Sequence, residues 1–514
     1  MRVKNSMLNI AAGLANQFII TALSFISRTV FISTLGIEYL GVNGLFTNIL
    51  AMLTLAEAGL GVSIMYSLYK PVAENDHHRI NVLMKFYRNT YMVIAAVILA
   101  LGLLIMPFLD LIIKDTNVED IHLIYLIFLL NTVAPYFYVH KNSFLNVSQK
   151  GYIVTGIYSV SSIISVCIKI GILHYTQNYL LYLIIDSIIT IGNSLLLAVI
   201  VNRMYPYLKA KVKDKLDPET RKQITTNVKA IVLQNIGNYF IFGTDNIIIS
   251  SFVSVAAVGL YSNYQMLIEI CRTFVNQVFT NIYHSIGNLV ASENADKVYT
   301  IYKIYRLVNF WLYSFFTIFL AIILEPFISI WLGAEYLLNG SLLAVLLVIF
   351  FERGMRNSIT TMKTTAGIFH EDRFAPLLQA VINIGFSIIL VQNIGITGVF
   401  AGTLISAIAV PFWTTPYLVF QKVFKKPLWM YYKVYIADVF ILIGTYFITA
   451  KAADLVPING YPSFVVTIFF CLVIPNIIYV LLFHRTAEFA YLMGVAKNVL
   501  AKIFVRRLKW NYKV

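Results

Sequence analysis

Fourteen apolar stretches of about 19–27 residues alternate with short polar connections along this 514-residue chain, each long enough as a helix to cross ~30 Å of hydrocarbon. They cover 8–33, 42–68, 89–112, 121–140, 152–173, 179–202, 229–251, 257–283, 307–331, 337–361, 374–392, 396–420, 431–450 and 462–484. All but five of the 39 Lys and Arg lie in the termini, in the even-numbered connections, or at the helix ends flanking them. Lys114 and Lys451 fall on the opposite side; Arg28, Lys169 and Arg272 lie inside apolar stretches. Basic residues are retained in the cytoplasm, so both termini are expected there. The pattern predicts an all-α polytopic membrane protein with about 14 transmembrane helices.

Composition excludes the main alternatives. A hydrophobic fraction of 59%, 12% charged residues and a mean hydropathy of +0.77 rule out an ordinary soluble domain, in which about 25% of residues are charged. The net charge of +15 is scattered over many short pieces rather than gathered on one face, so no nucleic-acid partner is expected. Cys167, Cys271 and Cys471 lie in apolar stretches with no partner at metal-ligand spacing, and neither a metal site nor a cofactor is expected. Arg2 and Lys4 precede an apolar run too long for a signal peptide; it reads as the first transmembrane helix. The predicted outer loops are too short to carry an extracellular domain. The tail 485–514, with Lys502, Arg506, Arg507, Lys509 and Trp510, suits an in-plane helix on an anionic leaflet or serves as a topology signal only.

An internal repeat underlies the two-lobe expectation. At an offset of 218 residues Val72-Ala73 matches Val290-Ala291, Lys85 matches Lys303, Tyr87-Arg88 matches Tyr305-Arg306, and Gly41 falls on Gly259. Six helices per copy start both copies on the same side, giving parallel repeats around a central cavity. The expected organisation is a first lobe over 1–202, a cytoplasmic linker over 203–228, a second lobe over 229–420, two further helices over 421–484, and the basic tail.

Charges at membrane depth cost roughly 2.5–3.5 kcal/mol and should face a polar cavity or a partner. Helical spacing gathers them on polar stripes: Gln17, Thr21, Ser24 and Arg28 on the first span, and Tyr158, Ser162, Ser165 and Lys169 on the fifth. Gln234, Asn238 and Asp245 share a face of the seventh, and Gln265, Glu269, Arg272 and Asn276 of the eighth. Structural readings stand beside this. Glu269 and Arg272, one turn apart, can neutralise each other. Lys169 can pair with Asp186, and Arg28 can snorkel. Glu57, central on the second span, is either a cavity carboxylate or a partner for Arg28 or Arg272. Asp245 lies nearly at the repeat equivalent of Arg28, where opposite charges could make a gate.

The stretch Arg28-Thr-Val-Phe-Ile-Ser-Thr-Leu-Gly-Ile-Glu-Tyr-Leu-Gly-Val-Asn-Gly-Leu-Phe-Thr-Asn-Ile-Leu50, continuing to Leu55-Ala-Glu-Ala-Gly-Leu-Gly-Val-Ser-Ile64, resembles the first hairpin of bacterial polysaccharide transporters. Trp331-Leu-Gly-Ala-Glu-Tyr-Leu337 looks like a second element of that family. These are the Wzx-type flippases of the multidrug/oligosaccharidyl-lipid/polysaccharide exporter superfamily. The resemblance implies alternating-access export of undecaprenyl-diphosphate-linked oligosaccharide, for capsule, exopolysaccharide or O-antigen-type polymers, with the polyprenyl tail left in lipid. Polymerase and chain-length proteins, membrane lipids, and an H+ or Na+ gradient are the partners it implies. By analogy with the related lipid II flippase, whose cavity arginines bind diphosphate, Arg28 and Arg272 match diphosphate contacts, and Lys169 is a third cavity cation. That relative has a further arginine on its second helix, where this chain has only Glu57. Its extra helices form a groove for the lipid tail, a role the thirteenth and fourteenth spans could share.

No nucleotide-binding, metalloprotease or serine-hydrolase motif occurs in the chain, so an enzyme is not expected. Directional transport would then draw on an ion gradient, the membrane potential or product consumption, with Glu57, Asp245, Glu269 and Asp186 as candidate coupling or gating acids. A teichoic-acid precursor is a variant of the same activity. A multidrug cation antiporter would call for a cavity dominated by carboxylates and aromatics, and a membrane polymerase or ligase for a large outer loop.

Overall fold

The computed structural model describes residues 20–497 except 58, 114–115, 149, 211, 223, 226–227, 229–238, 242, 369–370, 456–460 and 495–496. Among the described residues every regular element is helical. The protein is an all-α polytopic membrane protein. Eight described helices are long and apolar enough to cross a membrane, and the bent pair Ile121–Phe137 and Val139–Val147 makes a ninth if counted as one span. The other five predicted spans hold helix too. The first and second contain the shorter Ile20–Leu35 and Ile37–Leu53; the seventh is described mainly over Asp245–Phe252; the eighth and tenth are long but interrupted by polar and charged residues.

The chain divides into two compact units, Met1–Ser262 and Asn263–Val514. In the first, helices α1 (Ile20–Leu35), α2 (Ile37–Leu53), α3 (Leu60–Ala73) and α4 (His77–Ile105) are followed by α5 (Ile121–Val133) and α6 (Val139–Val147). Next come α7 (Gly151–Thr176), α8 (Tyr179–Met204), α9 (Asp245–Phe252) and the start of α10 (Val255–Ser292). Buried Leu45, Phe46, Leu83, Tyr125 and Leu129 form part of its core. Three boundaries differ from the sequence expectation. The second span is not one helix: α2 ends at Leu53, a 3-10 turn covers Thr54–Glu57, and Gly59 at φ 82° reverses the backbone before α3. Left-handed φ is open to glycine without the Cβ penalty other residues incur. The fourth span bends by 48° at the turn Ala134–Phe137, where Pro135 removes a helix hydrogen bond. The third begins at His77 rather than 89, because Asp76 caps it by accepting from the Arg79 N–H at 2.9 Å.

The second unit holds most of α10, then α11 (Ala295–Trp331), α12 (Gly340–Thr365), α13 (Ala375–Ile394), α14 (Ile396–Ala409), α15 (Pro411–Val419), α16 (Trp429–Asp454) and α17 (Tyr461–Phe483). A short α18 spans 487–494. The predicted twelfth span breaks at Val410, because Pro411 disfavours helical backbone in the residue before it. Phe310, Ile318, Phe351, Met355, Leu442 and Tyr479 make a buried cluster that ties α16 and α17 to α11 and α12.

The 218-residue repeat is visible in local geometry. Asn294 caps α11 by accepting from the Lys297 N–H at 3.0 Å, as Asp76 caps α4, so the ninth span also starts twelve residues early. Inside the first unit, a Cβ on Gly41 would lie 2.0 Å from the Val255 carbonyl oxygen, and one on Gly259 would lie 2.3 Å from that of Ile37. Ile37 and Val255 are themselves 218 apart. The contact between α2 and the start of α10 is therefore reciprocal, as at a two-fold interface. Small residues permit such backbone approach in membrane helices.

Candidate functional site

In the first unit, α1 carries Thr21 half-buried, Ser24 exposed and Arg28 half-buried. The Ser24 hydroxyl bonds back to the Ile20 carbonyl at 2.8 Å. Arg28 Nη1 donates to Ser262 Oγ at 3.3 Å, which joins α1 to α10. Gln17, Gln234 and Asn238 lie outside the described residues, as do Trp510 and the basic residues of the far tail. Lys169 Nζ is 2.7 Å from Asp186 Oδ1 and 4.7 Å from the Tyr182 ring centre. This links α7 to α8, the arrangement the sequence left open as structural pairing. Asp245 is buried at the first turn of α9, where the helix dipole favours a carboxylate.

Glu57 sits at the break between α2 and α3. Its Oε1 accepts from the Tyr91 hydroxyl at 3.3 Å. Tyr91 packs against both Tyr87, at 4.8 Å between ring centres, and Tyr136, at 5.8 Å. Gly61 makes room: a Cβ there would lie 2.6 Å from the Tyr91 oxygen. This phenol donor holds the direction of the carboxylate.

In the second unit, Gln265 is half-buried and Asn276 exposed on α10. Arg272 pairs with Glu269 one turn before it, and the Arg272 side chain is 18% exposed. Arg353 of α12 lies in the electrostatic field of Arg272, Glu269 and Arg356, with Tyr313 of α11 beside them. Arg356 grips Glu352 through two hydrogen bonds of 2.5 and 3.0 Å. Arg272, Arg353 and Arg356 are thus gathered with Glu269 and Glu352 in one charged cluster. Such planar donors match phosphate oxygens bidentately.

Sequence reasoning missed Arg353, Glu352 and Arg356. The two arginines lie near the basic end of the predicted tenth span and were absorbed into its flank, although the Glu352/Arg356 spacing of four was there to be read. It also missed Asp438 of α16, which is buried and pairs with Arg306 of α11. Beyond the spans, Glu488 of α18 lies 3.1 Å from Lys303. Burial raises its pKa, but its own backbone N–H and Lys303 outweigh that and hold it below the ordinary glutamate value.

No known protein family matches the chain, and no curated protein matches it in sequence. Solved structures do match in fold. The lipid II flippase MurJ, in an inward closed conformation, is similar with a TM-score of 0.65 at 15% identity, covering 91% of this chain and 98% of that one. An inward-facing multidrug resistance MATE family transporter of the MOP superfamily gives 0.58 at 14% identity, covering 76% and 93%. The Vibrio cholerae MATE transporter VcmN gives 0.53 at 14%, covering 82% and 99%. The chain thus shares its fold with these solved structures.

Proposed function

We propose that this protein is a flippase that moves undecaprenyl-diphosphate-linked oligosaccharide from the cytoplasmic to the outer leaflet of a bacterial cytoplasmic membrane. The observation that carries this reading is the extent of the fold: likeness to a lipid II flippase runs over 91% of the chain, against 76% for the MATE transporter. The gathering of Arg272, Arg353 and Arg356 supports an anionic substrate, with Arg28 the second diphosphate contact and Lys169 a third cation once released from Asp186. An apolar cavity of about 320 Å3 bounded by Phe351, Leu404, Phe412 and Leu442 suits a polyprenyl tail. Two lobes over 1–202 and 229–420, with both termini cytoplasmic, complete the proposal; the 218-residue repeat and the distribution of basic residues support them. A teichoic-acid precursor would be handled by the same groups.

One observation favours a second reading. Glu57 among three tyrosines is an acid in an aromatic setting, which suits the multidrug cation antiport of the MATE neighbours. Reconstitution separates the two. Proteoliposomes holding the purified protein should move a diphosphate-linked oligosaccharide lipid and leave an organic cation in place. Cation movement without lipid movement would replace the flippase reading with the antiporter.

A further inference from the structure

The repeat places two cavities at equivalent positions, and they differ in a way that assigns one of them a ligand. In the first unit a cavity of about 790 Å3 is bounded by α4, the Pro135 bend, α6 and the segment after Met204. Its wall includes Asn81, Met84, Lys85, Arg88 and Asn202. Adding 218 gives Tyr299, Tyr302, Lys303, Arg306 and Phe420, and all five line a cavity of only about 170 Å3 in the second unit. The two cations are kept at both places. Their surroundings are not.

In the second unit each cation meets a carboxylate: Lys303 lies 3.1 Å from Glu488, and Arg306 pairs with Asp438. Both acids come from the chain beyond residue 420, for which the first copy has no counterpart. Tyr299, Tyr302 and Phe420 fill the space that Asn81, Met84 and Asn202 leave open. In the first unit Lys85 and Arg88 are joined by Lys141 and Lys209, and among the described residues no Asp or Glu lies on the wall. Lys141 stands in the fields of both Arg88 and Lys209. Lys85 is held in place by the Val212 carbonyl at 2.7 Å. Two wall side chains more than nine-tenths buried also carry unpartnered polar atoms, His140 Nδ1 and Asn81 Oδ1. A pocket with four cations, no acid and unsatisfied buried polar atoms is complementary to an anion that also carries hydroxyls.

We propose that this cavity binds a phosphoryl group on a hydroxyl-bearing ligand, which supplies the negative charge that Asp438 and Glu488 supply in the second unit. Lys85 and Arg88 meet the phosphate oxygens, Lys141 and Lys209 close the charge balance, and Asn81 and His140 take the hydroxyls. The same chemistry is offered by a phosphatidylglycerol headgroup and by a soluble phosphate ester. The site is separate from the Arg28 and Arg272 contacts and stands whether or not those bind substrate.

Lysine acylation of the full-length protein, read by mass spectrometry, tests the proposal. Rates at Lys85, Lys141 and Lys209 are compared in phosphatidylcholine nanodiscs with and without sodium pyrophosphate, and in phosphatidylglycerol nanodiscs without it. Slowing by pyrophosphate in phosphatidylcholine marks a soluble ligand; slowing in phosphatidylglycerol alone marks the lipid headgroup; slowing in both marks a site open to either. Exposed Lys215 should not change. In an Arg88→Gln, Lys141→Gln variant, protection of Lys85 and Lys209 should need roughly tenfold more pyrophosphate. If that variant does not fold, the wild-type rates decide alone. Equal rates under all three conditions overturn the proposal.

Discussion

Tyr87 donates its hydroxyl to Ser143 at 2.9 Å, and 218 residues further on Tyr305 meets Thr361 at 3.3 Å. Both ends of the bond move by the same offset and a hydroxyl partner is kept, so the two copies preserve a tertiary contact as well as a sequence echo. Within each copy the bond joins the third or ninth span to the span that follows it, α4 to α6 and α11 to α12. The helix caps Asp76 and Asn294 obey the same offset.

The reciprocal glycine contact makes the first prediction. A methyl on Gly41 or Gly259 must push apart backbones that meet a Cβ position at 2.0 and 2.3 Å, at a cost of about 1–3 kcal/mol for each replacement. Gly171 on α7 has nothing within 4 Å of its Cβ position. Gly41→Ala and Gly259→Ala should each lower the thermal unfolding midpoint in detergent, while Gly171→Ala should leave it unchanged or raise it. Equal midpoints for all three would mean that the helices are not held by that contact.

The substrate prediction concerns Arg28 and Arg272. Each would lose a charge-assisted contact of about 1.5–3 kcal/mol when truncated, so Arg28→Ala and Arg272→Ala should lower export of the polymer by about tenfold or more while the protein still accumulates in the membrane. Lys should restore part of the loss, since it brings charge without the two-pronged donor. Normal export by the double Ala variant would leave these arginines with a structural role only.

Much of this was legible in the sequence because the signals are long. A run of about twenty apolar residues leaves the backbone one way to satisfy its polar groups in lipid, so each predicted span holds helix. The repeat was legible in Lys85, Arg88, Gly41 and their equivalents. What could not be read were the breaks and the cross-helix partners. The run Ala56-Glu-Ala-Gly59 is apolar enough to pass for helix interior, and only the φ of Gly59 shows the turn. Glu57 was open as a cavity carboxylate or an arginine's partner, and its Tyr91 contact could not be read, because hydroxyl donors from other helices carry no charge signal in a hydropathy pattern. Arg353 and Arg356 resemble ordinary flanking basic residues until α10 brings Arg272 beside them.

The energy prediction rests on Glu57. Its carboxylate accepts from Tyr91 at a helix break, where loss of that bond would alter the angle between α2 and α3. In proteoliposomes Glu57→Gln should still bind lipid-linked oligosaccharide but flip it at one rate with or without an imposed proton or sodium gradient. Tyr91→Phe should weaken the gradient response without removing it. A wild-type protein indifferent to both gradients would make Glu57 a structural hinge residue and the protein a passive facilitator.

Arg306 and Asp438 supply the last prediction, because burial decides what an ion pair contributes. The Asp438 side chain is 3% exposed and that of Arg306 18%, so the pair has lost most of its water. Removing one partner, as in Asp438→Asn, leaves a guanidinium with no counter-charge and should cost about 3–5 kcal/mol. Replacing both by apolar side chains of similar size, Arg306→Met with Asp438→Leu, removes the charge and its desolvation together and should restore most of the stability. At the equivalent place in the first unit Arg88 is exposed, so Arg88→Gln should shift the unfolding midpoint by less than Asp438→Asn does. Thermal unfolding of the three variants alongside the wild type in one detergent reads all of this. A double variant no more stable than Asp438→Asn would mean that the pair fixes the docking of α16 on α11 by geometry rather than by neutralising charge.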